Sequence, residues 1–247
     1  MITAIIQARM NSTRLPNKVL KDICGRPMLW HIWNRLTYAE TLDKVVISTS
    51  AEESNIPILE FAKKNCIPYF AGSEEDLLDR WYQTAKHFKA SAIVRVTADC
   101  PLVDPILVDK LVHHFKAYKL DFASNARPKA TYPHGLDLEI FNVNTLERVW
   151  KEIKDPLMRE WGSANFIEHP DKYRTSNTVN NVDLHNMRWT VDYPEDLEFI
   201  REVYKRLYKE NSVFLMSSVL ELLHKNPKLE KINQKYAGED TYKVAMR

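Results

Sequence analysis

Apolar residues in the first half of the chain fall into short continuous runs, separated by stretches in which they recur every three or four positions. Continuous runs of this length predict β-strands covered on both faces, and the wider spacing predicts amphipathic helices. The predicted strands are 2–8, 44–49, 68–70 and 92–97. The predicted helices are about 27–39, 50–65, 73–88 and 104–118. This alternation predicts an α/β protein with a mostly parallel sheet.

After residue 118 the pattern mixes short strands, polar loops and helices. Further strands are predicted at 121–124, 136–141, 173–182 and 188–191, and further helices at 144–154, 157–168, 194–208 and about 215–225. Alternating polarity predicts that 136–141 is a half-buried strand, whereas 188–191 is typical of a core strand. Since no linker or repeat interrupts the chain, we expect a single domain, 1–247, with residues 125–187 as an insertion.

The composition is that of a folded protein, with 45% hydrophobic and 28% charged residues. The 35 basic and 33 acidic residues leave a net charge of +2, so any anion site must be local. No apolar run approaches the roughly 20 residues that a membrane helix needs. We therefore expect neither nucleic acid nor a membrane as a partner.

The three cysteines, Cys24, Cys66 and Cys100, are too few and too widely spaced for a disulfide framework or a zinc pattern. The chain also begins without the basic and apolar regions of a signal peptide, so reduced thiols and a cytoplasmic location are expected. Only five glycines occur, which excludes a glycine-rich phosphate cradle of the Rossmann or P-loop kind.

A cationic loop follows the first predicted strand. It carries Arg9, Arg14 and Lys18 together with Ser12 and Thr13, and no acidic residue before position 22. Arginine makes bidentate contacts to phosphate and lysine supplies a mobile positive charge, so the loop could hold a triphosphate by its side chains. A solvated loop that binds nothing is the alternative.

Two aspartates follow predicted strands and directly precede turns that contain proline. Asp99 ends the strand 92–97, and Asp192 ends the strand 188–191. Ligands of open α/β sheets bind at the carboxyl ends of strands, and Mg²⁺ takes one or two protein carboxylates plus phosphate oxygens. Asp99 and Asp192 are therefore candidate Mg²⁺ ligands, with Asx turns as the alternative. Asp104 precedes Pro105 and is explained by capping the next helix.

The predicted insertion holds the candidates for binding a second substrate. His134, Asp137 and Glu139 surround a glycine turn and the strand after it, and Asp137 and Glu139 should share one strand face. Arg159 on a predicted helix could bind a carboxylate. A solvated strand face and surface charges are the alternatives.

Four ordered segments resemble the CMP-sugar synthetases, that is, the 3-deoxy-manno-octulosonate and acylneuraminate cytidylyltransferases. The segments are 4–29 (AIIQARMNSTRLPNKVL, then GRPML), 96–105 (VTADCPLVDP), 132–139 (YPHGLDLE) and 190–198 (TVDYPEDLE). The resemblance runs from residue 2 to about 200 and is closest to the spore-coat polysaccharide biosynthesis proteins of the SpsF group.

The resemblance implies a three-layer α/β/α, GT-A-like nucleotidyltransferase fold, and usually a homodimer in which the insertion forms the dimer arm. It implies transfer of CMP from CTP to a sugar, such as a nonulosonate or octulosonate, with release of pyrophosphate. Arg9, Ser12, Arg14 and Lys18 would hold the triphosphate, and Asp99 and Asp192 would hold Mg²⁺. The nucleobase pocket would be formed by Ala8, Ser48, Ser50 and the segment from Ser73 to Arg80. One departure concerns the acceptor helix, which reads Arg159-Glu160-Trp161 where sugar-acid members tend to have Arg-Glu-His.

Three other functions are compatible with parts of this pattern. A nucleotidyltransferase could use another nucleoside triphosphate and a sugar phosphate. A GT-A glycosyltransferase would need an Asp-x-Asp at a strand end, and Asp99-Cys100-Pro101 lacks it. A non-catalytic module of the same fold would be expected to lose the cationic loop or one strand-end aspartate, and both features are present.

Overall fold

The computed structural model describes residues 1–238, which form a central seven-stranded sheet flanked by helices. The strands are β1 (Ile2–Gln7), β2 (Asp22–Ile23), β3 (Arg26–Pro27), β4 (Lys44–Ser50), β5 (Tyr69–Gly72), β6 (Ala92–Thr97), β7 (Phe122–Ser124), β8 (Glu139–Asn142) and β9 (Thr175–Asn177). The helices are α1 (Met28–Leu36), α2 (Ile56–Lys64), α3 (Leu77–His87), α4 (Pro105–Ala117), α5 (Val143–Glu152), α6 (Pro156–Glu160), α7 (Ala164–Glu168), α8 (Pro194–Leu207) and α9 (Met216–Lys225).

The order of strands in the sheet is β5-β4-β1-β6-β8-β7-β9. The pairs among β5, β4, β1 and β6 are parallel, and so is the pair of β7 with β9. Strand β8 is antiparallel to both β6 and β7. The mostly parallel sheet predicted from the alternation of strands and helices is therefore confirmed. The strands β2 and β3 form a separate hairpin.

Two layers of helices cover the sheet. Side chains of α1, α2, α4, α8 and α9 pack with one face of the sheet, and those of α3, α5 and α7 pack with the other. Successive residues of β1 show the alternation, because Ala4 and Ile6 lie in the first core and Ile5 lies in the second. This is the predicted three-layer α/β/α arrangement.

The segment 125–187 contributes strands β8 and β9 to the central sheet. The prediction of a half-buried strand at 136–141 is wrong, because β8 lies between two neighbouring strands and the residues from Leu138 to Phe141 are buried. The predicted helix 157–168 is interrupted at 161–163 and forms α6 and α7. The predicted strand 173–182 shortens to the three residues of β9 at the sheet edge.

The predicted core strand 188–191 is not a strand of the sheet. Only an isolated bridge joins Arg188 to His134. The segment is nevertheless buried, with Trp189 and Val191 in the core, which explains its apolar pattern. Within residues 1–238, no helix is both long and apolar enough to cross a membrane.

Candidate active site

A cleft of about 450 Å³ opens at the carboxyl ends of β1 and β6. Gln7 and Thr97, the last residues of these two strands, both line it. Of the predicted site residues, the cleft brings together Arg9, Ser12, Thr13, Arg14, Lys18, Arg80, Asp99 and Asp192. The loop after β1 thus faces the two predicted metal ligands, as expected for a ligand site in an open α/β sheet.

The Lys18 ammonium joins the two aspartates. Its Nζ donates to Asp99 Oδ2 at 3.1 Å and to Asp192 Oδ1 at 2.8 Å. A third hydrogen bond, of 2.8 Å, goes to the carbonyl of Val191. Lys18 begins a short 3₁₀ turn, Lys18–Leu20, directly after Asn17 in the left-handed conformation. The turn thus presents the lysine to two carboxylates from distant parts of the chain.

Electrostatic attraction between Lys18 and the two aspartates stabilises the charged forms of Lys18 and Asp99. Burial opposes ionisation of Asp99, but the Lys18 ammonium and hydrogen bonds from Thr97 and Lys18 place the pKa of Asp99 well below its usual range. Burial likewise opposes the charge on Lys18, and the attraction of Asp99 and Asp192 raises its pKa overall. At neutral pH the cleft therefore contains an ammonium between carboxylates.

A close approach of two backbone segments places Asp192 beside Asp99. The N–H of Val191 donates to the carbonyl of Asp99 at 2.8 Å, and the N–H of Trp189 donates to the carbonyl of His134 at 2.7 Å. Gly135 makes this possible. Its φ is +107°, and a Cβ there would lie 2.5 Å from the backbone of Trp189 and of Thr190. Asp192 therefore lies near the carboxyl ends of β1 and β6 because of contacts between loops. It does not follow a strand of the sheet.

Arg188 and Asp196 fix the orientation of Asp192, and the functional reading of the sequence missed both. The guanidinium of Arg188 donates to Asp196 Oδ1 and Oδ2 at 2.8 and 2.9 Å, and to Asp192 Oδ2 at 3.4 Å. Asp196 Oδ2 also accepts hydrogen bonds from the N–H groups of Asp192 and Tyr193, both at 3.0 Å. The spacing of four residues between Arg188, Asp192 and Asp196 is the sequence signal that could have indicated this network.

Two arginines of the cleft differ in how they are held. Arg14 forms an ion pair with Asp192 Oδ1 at 3.1 Å, and its guanidinium lies 5.1 Å from the centre of the Tyr193 ring. Arg80 is only 3% exposed, and it donates to the carbonyl of Ser73 at 2.5 Å. Its Nε has no hydrogen-bond partner within residues 1–238. Burial lowers the pKa of Arg80, an effect that Glu74 opposes. Arg80 is thus a buried cation at the cleft, and its Nε–H is available to donate a hydrogen bond to a ligand.

The serines predicted for the nucleobase pocket do not line the cleft. Ser48 and Ser50 are fully buried in β4, where Ser48 is hydrogen-bonded to Thr84 and Ser50 to Asn55. Both hydroxyls thus face packed protein, and their place in a nucleobase pocket stays a prediction.

Ala8 and Ser73 also lie outside the cleft lining. Ala8 is buried, and its N–H donates to the carbonyl of Ser48. The hydroxyl of Ser73 accepts from the N–H of Asp76 at 3.0 Å, next to the start of α3. The structure gives both residues a role in the backbone around the cleft rather than a place on its wall.

Three of the residues predicted to bind the acceptor lie beneath or beside the cleft. Glu139 forms an ion pair of 2.7 Å with Arg95, and it is Arg95 that lines the cleft. His134 and Asp137 are 3.7 Å apart, outside the lining, in the turn that supports the Asp192 segment. Asp137 and Glu139 do not share a strand face, because β8 begins at Glu139.

Arg159 does not reach the cleft. Its Nε donates to Asp76 Oδ2 at 2.7 Å, and the guanidinium also donates to the carbonyls of Trp150 and Ile153. Three protein groups thus hold Arg159 outside the cleft lining, and its binding of an acceptor stays a prediction. The residues after it, Glu160 and Trp161, line the cleft instead.

The residues present fit a magnesium ion bound to few protein ligands. Asp99 and Asp192 both lie within 3.1 Å of the Lys18 ammonium, so their oxygens converge on one cation. Within the described part of the chain no group of three or more His, Cys, Asp or Glu side chains could hold a metal. Two carboxylates suffice for Mg²⁺, which completes its shell with water and phosphate oxygens.

Comparisons with known proteins point to one family. The profile of a family described as cytidylyltransferase matches residues 3–221. The spore coat polysaccharide biosynthesis protein SpsF of Bacillus subtilis is 32% identical, over 92% of this chain and 95% of SpsF. A solved cytidylyltransferase from Leptospira borgpetersenii superposes with a TM-score of 0.86 at 31% identity, covering 92% of this chain and 95% of that one.

A more distant structure, a CMP:2-keto-3-deoxy-manno-octonic acid synthetase complexed with CTP, superposes with a TM-score of 0.62 at 19% identity. It covers 84% of this chain and 99% of the synthetase, and it bears on the fold alone. These similarities confirm the nucleotidyltransferase-like α/β fold and the resemblance drawn from the four sequence segments.

Proposed function

Because this chain belongs to the cytidylyltransferase family, we propose that it transfers CMP from CTP to a sugar and releases pyrophosphate. The observation that carries the proposal is the convergence of Arg14, Lys18, Asp99 and Asp192 in one cleft at the carboxyl ends of β1 and β6. A triphosphate needs fixed cations, and a magnesium ion needs carboxylates; the cleft offers both within a few ångströms.

In the proposed reaction, a hydroxyl oxygen of the sugar attacks the α-phosphorus of CTP. A new O–P bond forms, and the hydroxyl proton passes to solvent water. The bond from the α-phosphorus to the oxygen that bridges the α- and β-phosphates breaks, and pyrophosphate leaves with its electron pair. Arg14 and Lys18 neutralise the charge that builds on pyrophosphate, and Arg9, Ser12 and Thr13 bind the same phosphates. No side-chain nucleophile is required.

Asp99 and Asp192 would hold Mg²⁺. When bound, the ion supplies positive charge to the phosphate oxygens and to the attacking hydroxyl. Asp99 suits this role because its lowered pKa keeps the carboxylate ionised at neutral pH. Lys18 contacts one oxygen of each of these carboxylates, so its ammonium would compete with an ion for those two oxygens.

The acceptor is proposed to be a sugar acid such as a nonulosonate or octulosonate, used for surface polysaccharide. The name of SpsF, a spore coat polysaccharide biosynthesis protein, supports the polysaccharide, and the family resemblance supports the sugar acid. Glu160 and Trp161 line the cleft and are expected to contact the sugar. Since cells make CTP in the cytoplasm, the reaction is proposed to take place there.

A homodimer is proposed on the same resemblance. Leu157, Val179 and Val182, all within the segment 125–187, are exposed apolar side chains that a partner could cover. Sedimentation equilibrium of the purified chain tests this assembly, with a mass near 58 kDa expected for two chains of 28.9 kDa each.

Pyrophosphate release tests the proposed reaction. The protein is mixed with CTP, MgCl₂ and, in turn, 3-deoxy-manno-octulosonate, N-acetylneuraminate or a sugar phosphate. We expect release with at least one sugar acid, dependent on CTP and Mg²⁺. Release with a sugar phosphate alone would replace the proposed acceptor, and release in none of the mixtures would contradict the proposed function.

A further inference from the structure

The last described segment of the chain, residues 226–238, packs against Arg188, Tyr193 and Asp196, which surround Asp192. It contains two 3₁₀ turns, Glu230–Ile232 and Gln234–Tyr236. The cytidylyltransferase profile ends at residue 221, so this segment lies outside the matched region. One polar side chain of the segment, that of Asn233, is nevertheless only 2% exposed.

Asn233 holds the carboxylate that fixes the backbone of Asp192. Its Nδ2 donates to Asp196 Oδ1 at 2.9 Å and to the carbonyl of Arg188 at 3.0 Å. Asp196 accepts in turn from the N–H groups of Asp192 and Tyr193. Two hydrogen bonds therefore connect the amide of Asn233 to the backbone of a proposed metal ligand.

Tyr236 makes a second connection, to the cationic loop. Its ring stacks on the ring of Tyr193 with a centroid distance of 3.8 Å and an interplanar angle of 3°. The guanidinium of Arg14 lies 5.1 Å from the centre of the same Tyr193 ring. The carbonyl of Tyr236 also accepts from Arg188 at 3.4 Å. The segment thus supports both Arg14 and Asp192.

We propose that Asn233 and Tyr236 are positioning residues for the active site. They hold Asp192 and Arg14 in the orientation in which these side chains bind metal and triphosphate. The inference rests on the proposed function. An apolar side chain at position 233 could be buried equally well. The amide of Asn233 instead donates to two buried acceptors, Asp196 and the carbonyl of Arg188, and so fixes their relative positions. Loss of such supporting partners of metal ligands typically costs 10- to 100-fold in metal affinity or activity.

The first test compares Asn233→Ala with Lys235→Ala. Lys235 lies in the same segment, and its exposed side chain pairs with Glu195 and lies over the Tyr236 ring without a hydrogen bond to Asp196 or Arg188. The readout is the thermal shift caused by saturating CTP as MgCl₂ is increased. We expect Asn233→Ala to need about tenfold more MgCl₂ for the half-maximal shift, and Lys235→Ala to match the wild type. Equal MgCl₂ requirements in Asn233→Ala and wild type, or an equal change in both variants, would overturn the inference.

The second test compares Tyr236→Leu with Tyr236→Phe. It tests the inference even where Asn233→Ala does not fold. Phenylalanine keeps the ring that stacks on Tyr193 and loses only the hydroxyl, which lies 3.3 Å from Glu195. We expect Tyr236→Leu to raise the CTP concentration for the half-maximal shift about tenfold, and Tyr236→Phe to leave it unchanged. Identical values for both variants would overturn the inference.

These readouts separate the inference from the function on which it rests. A wild-type protein with no CTP-dependent shift at any MgCl₂ concentration would contradict the proposed function, and the inference with it. A clear wild-type shift that Asn233→Ala and Tyr236→Leu reproduce unchanged would contradict the inference alone.

Discussion

The ammonium of Lys18 lies 2.8 Å from Asp192 Oδ1, and the same nitrogen lies 3.1 Å from Asp99 Oδ2. One cation thus already bridges the two carboxylates that are proposed to bind magnesium. A divalent ion that binds these same carboxylate oxygens would therefore compete with the lysine. Lys18 is therefore both a stabilising counter-ion of the two aspartates and a proposed ligand of the triphosphate.

Replacing Lys18 tests this competition. Lys18→Met leaves Asp99 and Asp192 without their shared counter-ion, so we expect about 1–3 kcal/mol less stability in EDTA. Added MgCl₂ should then raise the melting temperature of the variant more than that of the wild type, because the ion replaces the missing charge. Lys21→Met, a control outside the cleft lining, should respond like the wild type. A response of Lys18→Met no larger than that of the wild type would contradict the competition.

Asp99→Asn is expected to fold normally and to lose most of its turnover, at least about 100-fold in kcat. The amide keeps the shape of the side chain, and Lys18 retains its bonds to Asp192 and Val191. Pyrophosphate release at limiting Mg²⁺ is the measurement. Unchanged kinetics under that condition would remove Asp99 from the proposed metal site.

Asp104→Asn is the matched control for that variant. Asp104 lies in the same sequence motif, but its Oδ1 accepts from the N–H groups of Ile106 and Leu107 at the start of α4, as the sequence predicts for a helix cap. Asparagine caps helices as well as aspartate does. It cannot replace the acceptor that Asp104 Oδ2 offers to the N–H of Met216 at 2.6 Å, so the variant should lose about 1–3 kcal/mol of stability. We expect wild-type turnover, and a loss comparable to that of Asp99→Asn would show that charge anywhere in the motif matters.

His31 is expected to make stability depend on pH. Its Nε2 donates to the carbonyl of Ile23 at 2.7 Å, and burial lowers its pKa to about 4. Between pH 6.5 and 4 the unfolded chain binds more protons at this residue than the folded protein, so stability falls as the pH falls through this window. The contribution at pH 5 is about 2 kcal/mol relative to pH 7.5.

Urea denaturation of His31→Gln measures this contribution. Glutamine does not titrate, so the free energy of unfolding should fall less between pH 7.5 and 5 than it does for the wild type. The exposed His224→Gln should keep the wild-type slope. A wild-type slope in His31→Gln would show that other groups carry the pH dependence.

Arg159→Ala is expected to lower stability and to leave catalysis nearly intact. The variant loses bonds to Asp76 and to two carbonyls, which should cost about 2 kcal/mol.

Trp161→Ala, by contrast, should raise the KM of whichever sugar supports pyrophosphate release, because Trp161 lines the cleft. A higher sugar KM in Arg159→Ala at unchanged stability would restore the role that the sequence suggested for this arginine.

Local patterns were sufficient to predict the sheet and its cationic loop. Continuous apolar runs identified β1, β4 and β6, and the charged residues between Arg9 and Lys18 line the cleft. The sequence does not reveal which hydroxyls of a strand find partners in the core, as those of Ser48 and Ser50 do.

Contacts between distant segments are what the sequence could not supply. Asp192 was expected at the end of a sheet strand, but a loop brings it to Asp99 across Gly135. Asn233 lies 37 residues from Asp196, and no local pattern links the two. The chemistry of the site was thus readable from residue types, whereas its support depends on tertiary packing.

The central claim is that this cleft binds CTP, and a thermal-shift comparison of the four nucleoside triphosphates in the presence of MgCl₂ tests it most directly. CTP at 100 times its Kd should stabilise the protein by about 2.7 kcal/mol, whereas ATP, GTP and UTP at the same concentration should shift it less. The shift should be lost in Arg14→Ala, because Arg14 belongs to the proposed phosphate site. No response to CTP together with a clear shift from another nucleotide would contradict the account.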